Sequence, residues 1–197
     1  MFASLTDPAL IACLNQGGVV VIPTDTMYGL VARASDRQAV ERVYKVRGRA
    51  PEKPCIVLVA ARWQITDTSL WTTQHKTLAD VYWPGALSLV APTATTEPYL
   101  HRGTHTLAYR MPDRDDLRRL LTNTGPLIAP SANPEGQKAA TTLQEAQAYF
   151  GDTVDGYVDG GTLAGDAPST VVGIVDGSLH ILRQGVLHIQ EITRPAA

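Results

Sequence analysis

Apolar and polar positions along the chain switch repeatedly between a helical and an extended rhythm. Asp7-Pro8 has the form of an N-cap with proline in the first helical turn, and Gly17-Gly18 stops the helix it opens. The run Val19-Val20-Val21-Ile22 is short and β-branched, which predicts a buried strand. Asp36 caps a second helix whose apolar stripe is Ala39, Val40, Val43 and Tyr44, with Glu41 and Lys45 as an i,i+4 pair on the wet side. Residues 55–59 predict the next buried strand, 73–82 a helix ending at Trp83-Pro84-Gly85, 87–91 and 106–110 two strands, and 113–121 a helix. A short strand at 127–129 runs into Pro130-Ser131-Ala132-Asn133. A helix at 142–150 and strands at 157–159, 170–175 and 179–182 complete the set, the last two joined by a turn at Asp176-Gly177. The alternation predicts an α/β (α+β) domain on a twisted mixed β-sheet flanked by helices. No repeat, low-complexity tract or linker divides the 197 residues, so a single domain over 1–197 is expected.

Composition changes this picture little, since 44% hydrophobic and 18% charged residues are ordinary for a soluble globular chain. No apolar run approaches a membrane span, and Met1-Phe2-Ala3-Ser4 opens no basic stretch leading into an apolar one. A cytoplasmic protein without a signal peptide is expected. Cys13 and Cys55 match no metal or redox spacing, and the five histidines are scattered, so no protein-held metal is expected.

Charge is more telling. A net charge of −2 argues against a protein whose main task is gripping nucleic acid. Six of the seventeen Lys and Arg nonetheless fall between Arg37 and Lys53, while residues 151–182 hold five aspartates and no Lys or Arg. One compact cationic segment on a slightly acidic chain suits a small anionic ligand, and a solvated helix face accounts for the same cluster equally well.

The familiar signatures G-x-x-x-x-G-K-[ST], G-x-G-x-x-G, H-E-x-x-H and G-x-S-x-G are missing. Five other segments place polar residues where a strand ends, the usual ligand position of an α/β sheet. Residues 23–30 offer the hydroxyls of Thr24 and Thr26, the ring of Tyr28, and Gly29 for close backbone approach. Arg47-Gly48-Arg49 sets two guanidiniums around a glycine, suited to converge on phosphates. Arg110 ends an apolar strand and needs a carboxylate partner, either a neighbour's or a ligand's. Ala129 to Asn133 forms the fourth segment, and Pro168-Ser169-Thr170 with Leu182-Arg183-Gln184-Gly185 the fifth. The first and fourth also read as simple polar turns, and no one of the five alone identifies a function.

Taken in order, PTDTMYGL, RGR, WPGALSLV, TLAYRMP, APSAN, PSTVV and LRQG run from residue 23 to residue 185. This series resembles the YrdC/Sua5/TsaC family of threonylcarbamoyl-AMP synthases. The resemblance implies a YrdC/RibB-like fold with a concave cationic cleft. It implies a reaction of L-threonine, bicarbonate or CO2, and ATP to threonylcarbamoyl-adenylate and pyrophosphate, the first step towards t6A in tRNA. ATP is then expected on Arg47, Arg49, Thr106, Ser131, Asn133 and Arg183, with Arg47 and Arg49 catalytic. Threonine is expected on Thr24, Tyr28, Arg110, Ala129 and Ser169. Mg²⁺ is expected mainly through the triphosphate. The adenylate is expected to pass to the TsaD-containing threonylcarbamoyltransferase complex, with a weak tRNA contact and no membrane.

The sequence departs from the family where Arg47 replaces a lysine and where Leu58 stands at a position some relatives fill with a histidine near threonine. Two rival readings are a YciO-like paralogue with weak or different adenylate chemistry and a non-catalytic RNA-binding module.

Overall fold

The computed structural model describes residues 1–163 and 167–189, so the last residues of the expected domain lie outside it. In chain order the elements are α1 (Pro8–Asn15), β1 (Val20–Pro23), β2 (Tyr28–Arg33), α2 (Arg37–Arg47), β3 (Val57–Leu58) and α3 (Thr73–Tyr82). They continue with β4 (Leu87–Pro92), α4 (Pro98–His101), β5 (Thr106–Arg110), α5 (Asp115–Thr124) and β6 (Leu127–Ile128). Then come α6 (Leu143–Phe150), β7 (Gly156–Tyr157), β8 (Thr170–Val175) and β9 (Ser178–Arg183). The helix starts follow the capping chemistry. Asp7 and Asp36 accept the amides of Ala9 and Ala39, and Thr142 with Glu145 closes a reciprocal capping box before α6.

All nine strands join one sheet in the order β7-β1-β2-β6-β3-β5-β4-β8-β9. The pairs β1–β7, β3–β5 and β4–β8 are parallel and the rest antiparallel, which makes the sheet mixed. Its two halves are built differently. In β1 and β2 successive side chains enter two separate cores, as a period of two requires. Val19, Val21, Tyr28, Leu30 and Ala32 pack with Val40 and Val43 of α2 and Phe150 of α6. Val20, Ile22 and Val31 pack with Leu10 and Leu14 of α1 and Leu117, Leu120 and Leu121 of α5.

The second half, β5-β4-β8-β9, is covered on one face only. Leu87, Leu89, Ala91, Leu107, Tyr109 and Val172 join the first core beneath Leu78 and Ala79 of α3. Val90, Thr106, Ala108, Arg110 and Val171 take the other face and line a cavity.

Several boundaries correct the sequence expectation. The strand β2 was not expected: in residues 23–30, a four-residue turn at 24–27 leads directly into it, and the polar Thr24-Asp25-Thr26 obscured its start. The strand expected over 55–59 pairs as β3 at Val57–Leu58 alone, although the Ile56 carbonyl and Val59 amide still bond to Ala129 and Arg110. The helix expected at 113–121 runs from Asp115 to Thr124, the strand expected at 157–159 is Gly156–Tyr157, and α4 had no periodic signal in its four residues. Among the described residues no helix is long and apolar enough to cross a membrane.

Candidate active site

A cavity of about 610 Å³ opens on the uncovered sheet face and is lined as well by the β1–β2 turn, the end of α2 and the segment around Pro130. Its size is in the range of small-molecule sites. Among the described residues, five lining side chains are basic, namely Arg47, Arg49, Arg110, Lys138 and Arg183, and none is acidic. Every residue expected to hold ATP or threonine lines this one cavity.

Arg47 ends α2, and Gly48 in the left-handed region (φ 61°) turns the chain away, a conformation that favours glycine. Arg47 Nε donates to the Ser131 carbonyl (3.0 Å), and Nη2 donates to Ser131 Oγ (2.9 Å) and Asn133 Oδ1 (3.3 Å). Its Nη1 is buried without a partner. Burial first, and the Arg49 charge second, push the guanidinium below the ordinary arginine value. A buried N–H donor left open is costly unless something fills it.

Arg49 is turned into its own loop, with Nε on the Lys53 carbonyl (3.0 Å) and Nη2 on the Pro54 carbonyl (2.8 Å). That loop is tied to the segment after Asn133. Glu135 accepts the Ala50 amide (2.5 Å), pairs with Lys53 Nζ (2.8 Å) and donates its own amide to the Arg47 carbonyl (2.9 Å). The Lys53 bond is the main reason the Glu135 carboxyl is held below its usual value.

Arg110 resolves the question of its partner. Its Nη2 donates to Asp25 Oδ1 (2.8 Å) and Thr24 Oγ1 (3.4 Å), and Nη1 donates to Thr26 Oγ1 (3.1 Å), while Nε is buried and unpaired. The carboxylate is thus a neighbour's. Burial pushes Arg110 down and Asp25 pushes it back up. Thr24 also rigidifies the turn, donating to the Met27 carbonyl and accepting the amides of Thr26 and Met27. Tyr28 is fully buried, and its hydroxyl donates to the Gly161 carbonyl (2.9 Å) and accepts the Gly160 amide (2.8 Å), so it braces the cavity wall.

On the far strands, Arg183 Nε and Nη2 donate to the Ser169 carbonyl (3.2 and 2.9 Å), and Nη2 also reaches Ser169 Oγ (3.1 Å). The buried Ser88 hydroxyl lies 2.8 Å from Ser169 Oγ. The main chain after Arg183 lies against the 168–170 backbone because residue 185 is glycine, since a Cβ there would sit 2.1 Å from the Pro168 carbonyl oxygen. Burial, then the Arg110 and Arg49 charges, lower Arg183. Thr106 donates to Thr104 Oγ1 (3.2 Å), and the Ala129 amide donates to the Ile56 carbonyl (2.9 Å).

One sequence expectation shifts. Leu58 packs in the second core, and the residues of that stretch that line the cavity are Cys55 and Ile56. Asp25, Ser88 and Glu135 were not singled out. The alternation in 87–91 did hold a signal for Ser88, since it puts that hydroxyl opposite Leu87 and Leu89. Among the described residues no three His, Cys, Asp or Glu side chains cluster as a metal site.

The family model for Sua5/YciO/YrdC proteins, described as telomere recombination, matches residues 12–185. A putative threonylcarbamoyl-AMP synthase of Mycobacterium leprae is 36% identical over 185 residues, which cover 92% of this chain and 84% of that protein. The threonylcarbamoyl-AMP synthase of Bacillus subtilis is 35% identical over 196 residues, 96% of this chain but 57% of its own length, so the chain spans little more than half of that relative. The crystal structure of Pyrococcus abyssi Sua5 complexed with L-threonine superposes with a TM-score of 0.85 at 30% identity, covering 90% of this chain and 53% of that one. Matched in sequence and in shape over most of its length, the chain belongs to the Sua5/YciO/YrdC family.

Proposed function

We propose that the chain is a cytoplasmic threonylcarbamoyl-AMP synthase, using L-threonine, bicarbonate or CO2, and ATP as its magnesium complex. The observation that carries this reading is a pair of buried guanidiniums on one cavity, Arg47 and Arg110, each with an N–H that no atom of the described residues satisfies. One suits a phosphate and the other a carboxylate.

The threonine amine adds to CO2 to give a carbamate and release a proton. A carbamate oxygen then attacks the α-phosphorus as the bond to pyrophosphate breaks. Such a transfer asks the protein for alignment and charge neutralisation rather than for a nucleophile of its own. Arg47, Arg49 and Arg183 meet the phosphates, with Ser131, Asn133 and Thr106 fixing the nucleotide. Thr24, Arg110, Ala129 and Ser169 hold the amino acid against the wall braced by Tyr28. Magnesium would be held mainly through the triphosphate, where it would offset phosphate charge. The adenylate is handed to a TsaD-containing threonylcarbamoyltransferase complex for t6A formation, where a weak tRNA contact by this chain accompanies the transfer.

The relatives named above are synthases, which places the YciO-like reading second, and the net charge of −2 disfavours an RNA-binding module. The test is pyrophosphate release with mass detection of the adenylate. Release is expected only when threonine, bicarbonate and ATP are all present. Equal release with serine, or with no amino acid, would overturn threonine specificity.

A further inference from the structure

We propose that Asp25 is a positioning residue for amino-acid recognition, clamping one side of the Arg110 guanidinium so that its remaining N–H donors meet the ligand's carboxylate. The proposal rests on the reading of Arg110 given above and adds a residue which that reading does not use. The contact is no by-product of strand pairing. Asp25 sits in the β1–β2 turn, and in the sheet β6 and β3 stand between β2 and the β5 strand that carries Arg110. The ion pair reaches across that gap to join residues 85 apart in sequence.

The donor count shows what the clamp does. Of the five guanidinium N–H donors, Nη2 gives two to Asp25 and Thr24 and Nη1 gives one to Thr26, which leaves the second Nη1–H and the buried Nε–H. A long arginine side chain has many rotamers, and holding it at three oxygens removes that freedom before any ligand arrives. Asp25 is well placed for this task because it stays out of the ligand's way. Thr24, Thr26 and Arg110 line the cavity and Asp25 does not. Both partners of the pair are more than nine-tenths shielded from solvent, with side-chain exposures of 6% and 8%. The second Asp25 oxygen accepts the Asp113 amide (3.3 Å), and the Thr24 hydroxyl holds the turn, so the clamp is itself fixed.

The pair also balances charge. Arg49, Arg110 and Arg183 share a cavity whose lining holds no carboxylate among the described residues, and Asp25 supplies a counter-charge behind Arg110. A buried arginine left without it would be free to turn towards another oxygen and away from the subsite.

The experiment compares wild type, Asp25→Ala and Asp25→Asn. Asp25→Ala is expected to raise the apparent KM for threonine by about tenfold or more while kcat and the KM for ATP change by less than about threefold. Asp25→Asn, which keeps an oxygen acceptor at the same reach but loses the charge, is expected to hold the rise to about threefold. An unchanged threonine KM in Asp25→Ala, or parallel rises in both KM values with a lowered unfolding temperature, overturns the clamp. Should Asp25→Ala not fold, calorimetric titration of Asp25→Asn with threonine decides: a Kd raised by about threefold supports the clamp, and an unchanged one overturns it. Wild type without threonine-dependent pyrophosphate release would sink the synthase reading, whereas threonine-dependent wild type with unaffected variants would sink the clamp alone.

Discussion

The two halves of the sheet have the same backbone and opposite economies. Around β1 and β2 both faces are covered, by α2 and α6 on one side and α1 and α5 on the other, and the strands there read as unbroken apolar runs such as Val19 to Ile22. Around β4 and β5 only one face is covered, and the residues alternate. Leu107 and Tyr109 go down into the core, while Thr106, Ala108 and Arg110 go up into the cavity. The difference teaches where binding comes from in this fold. A face that no helix covers is free to carry hydroxyls and guanidiniums, and the doubly covered half supplies the rigidity that holds them in place.

The contrast can be broken first by mutation in the closed half. Leu120→Ala removes a fully buried side chain from the core between α5 and the sheet, and is expected to lower stability by about 2–5 kcal/mol in urea unfolding. The folded fraction should keep its threonine KM. A threonine KM that rose with the loss of stability would show that the halves are not separable. Next comes the site itself. Arg47→Ala is expected to lower turnover by about 10²–10³-fold, read as pyrophosphate release. Its unfolding midpoint should move less than that of Leu120→Ala. A turnover within about threefold of wild type would mean that the open N–H of Arg47 has no part in the reaction.

The smallest effect is one of pH, and it belongs to the underside of the open half. His75 in α3 is buried, and burial pushes its imidazole below the usual histidine value. The unfolded chain therefore takes up a proton near pH 6.5 that the folded chain refuses until lower pH, so stability is full above about pH 6.5 and declines below it. Comparing urea midpoints at about pH 8 and pH 5.5 checks this, and His75→Asn should flatten the difference. A wild-type midpoint that rose on acidification would reverse the assignment.

Local chemistry made much of the fold legible. Caps at Asp7 and Asp36 and short apolar runs such as Val19 to Ile22 marked helices and strands because each signal is complete within a few residues. What stayed hidden depended on distant partners. The hairpin of β1 and β2 was masked because Thr24, Asp25 and Thr26 read as the start of a loop, and their reason for being polar lies at Arg110. Arg110 itself advertised a need for a carboxylate without saying whose. The site segments were visible as polar residues at strand ends. Their convergence was not, since only the strand order brings residues 24, 47, 110, 131 and 183 to one cavity.

Gly185 carries one more consequence. Because its missing side chain lets two main-chain segments press together, the spacing between Arg183 and Ser169 is dictated by peptide units rather than by what decorates them. A groove gauged in that way can have its lining exchanged, one hydroxyl for another, and still open to the same width. Selectivity is then free to drift while the aperture stays put.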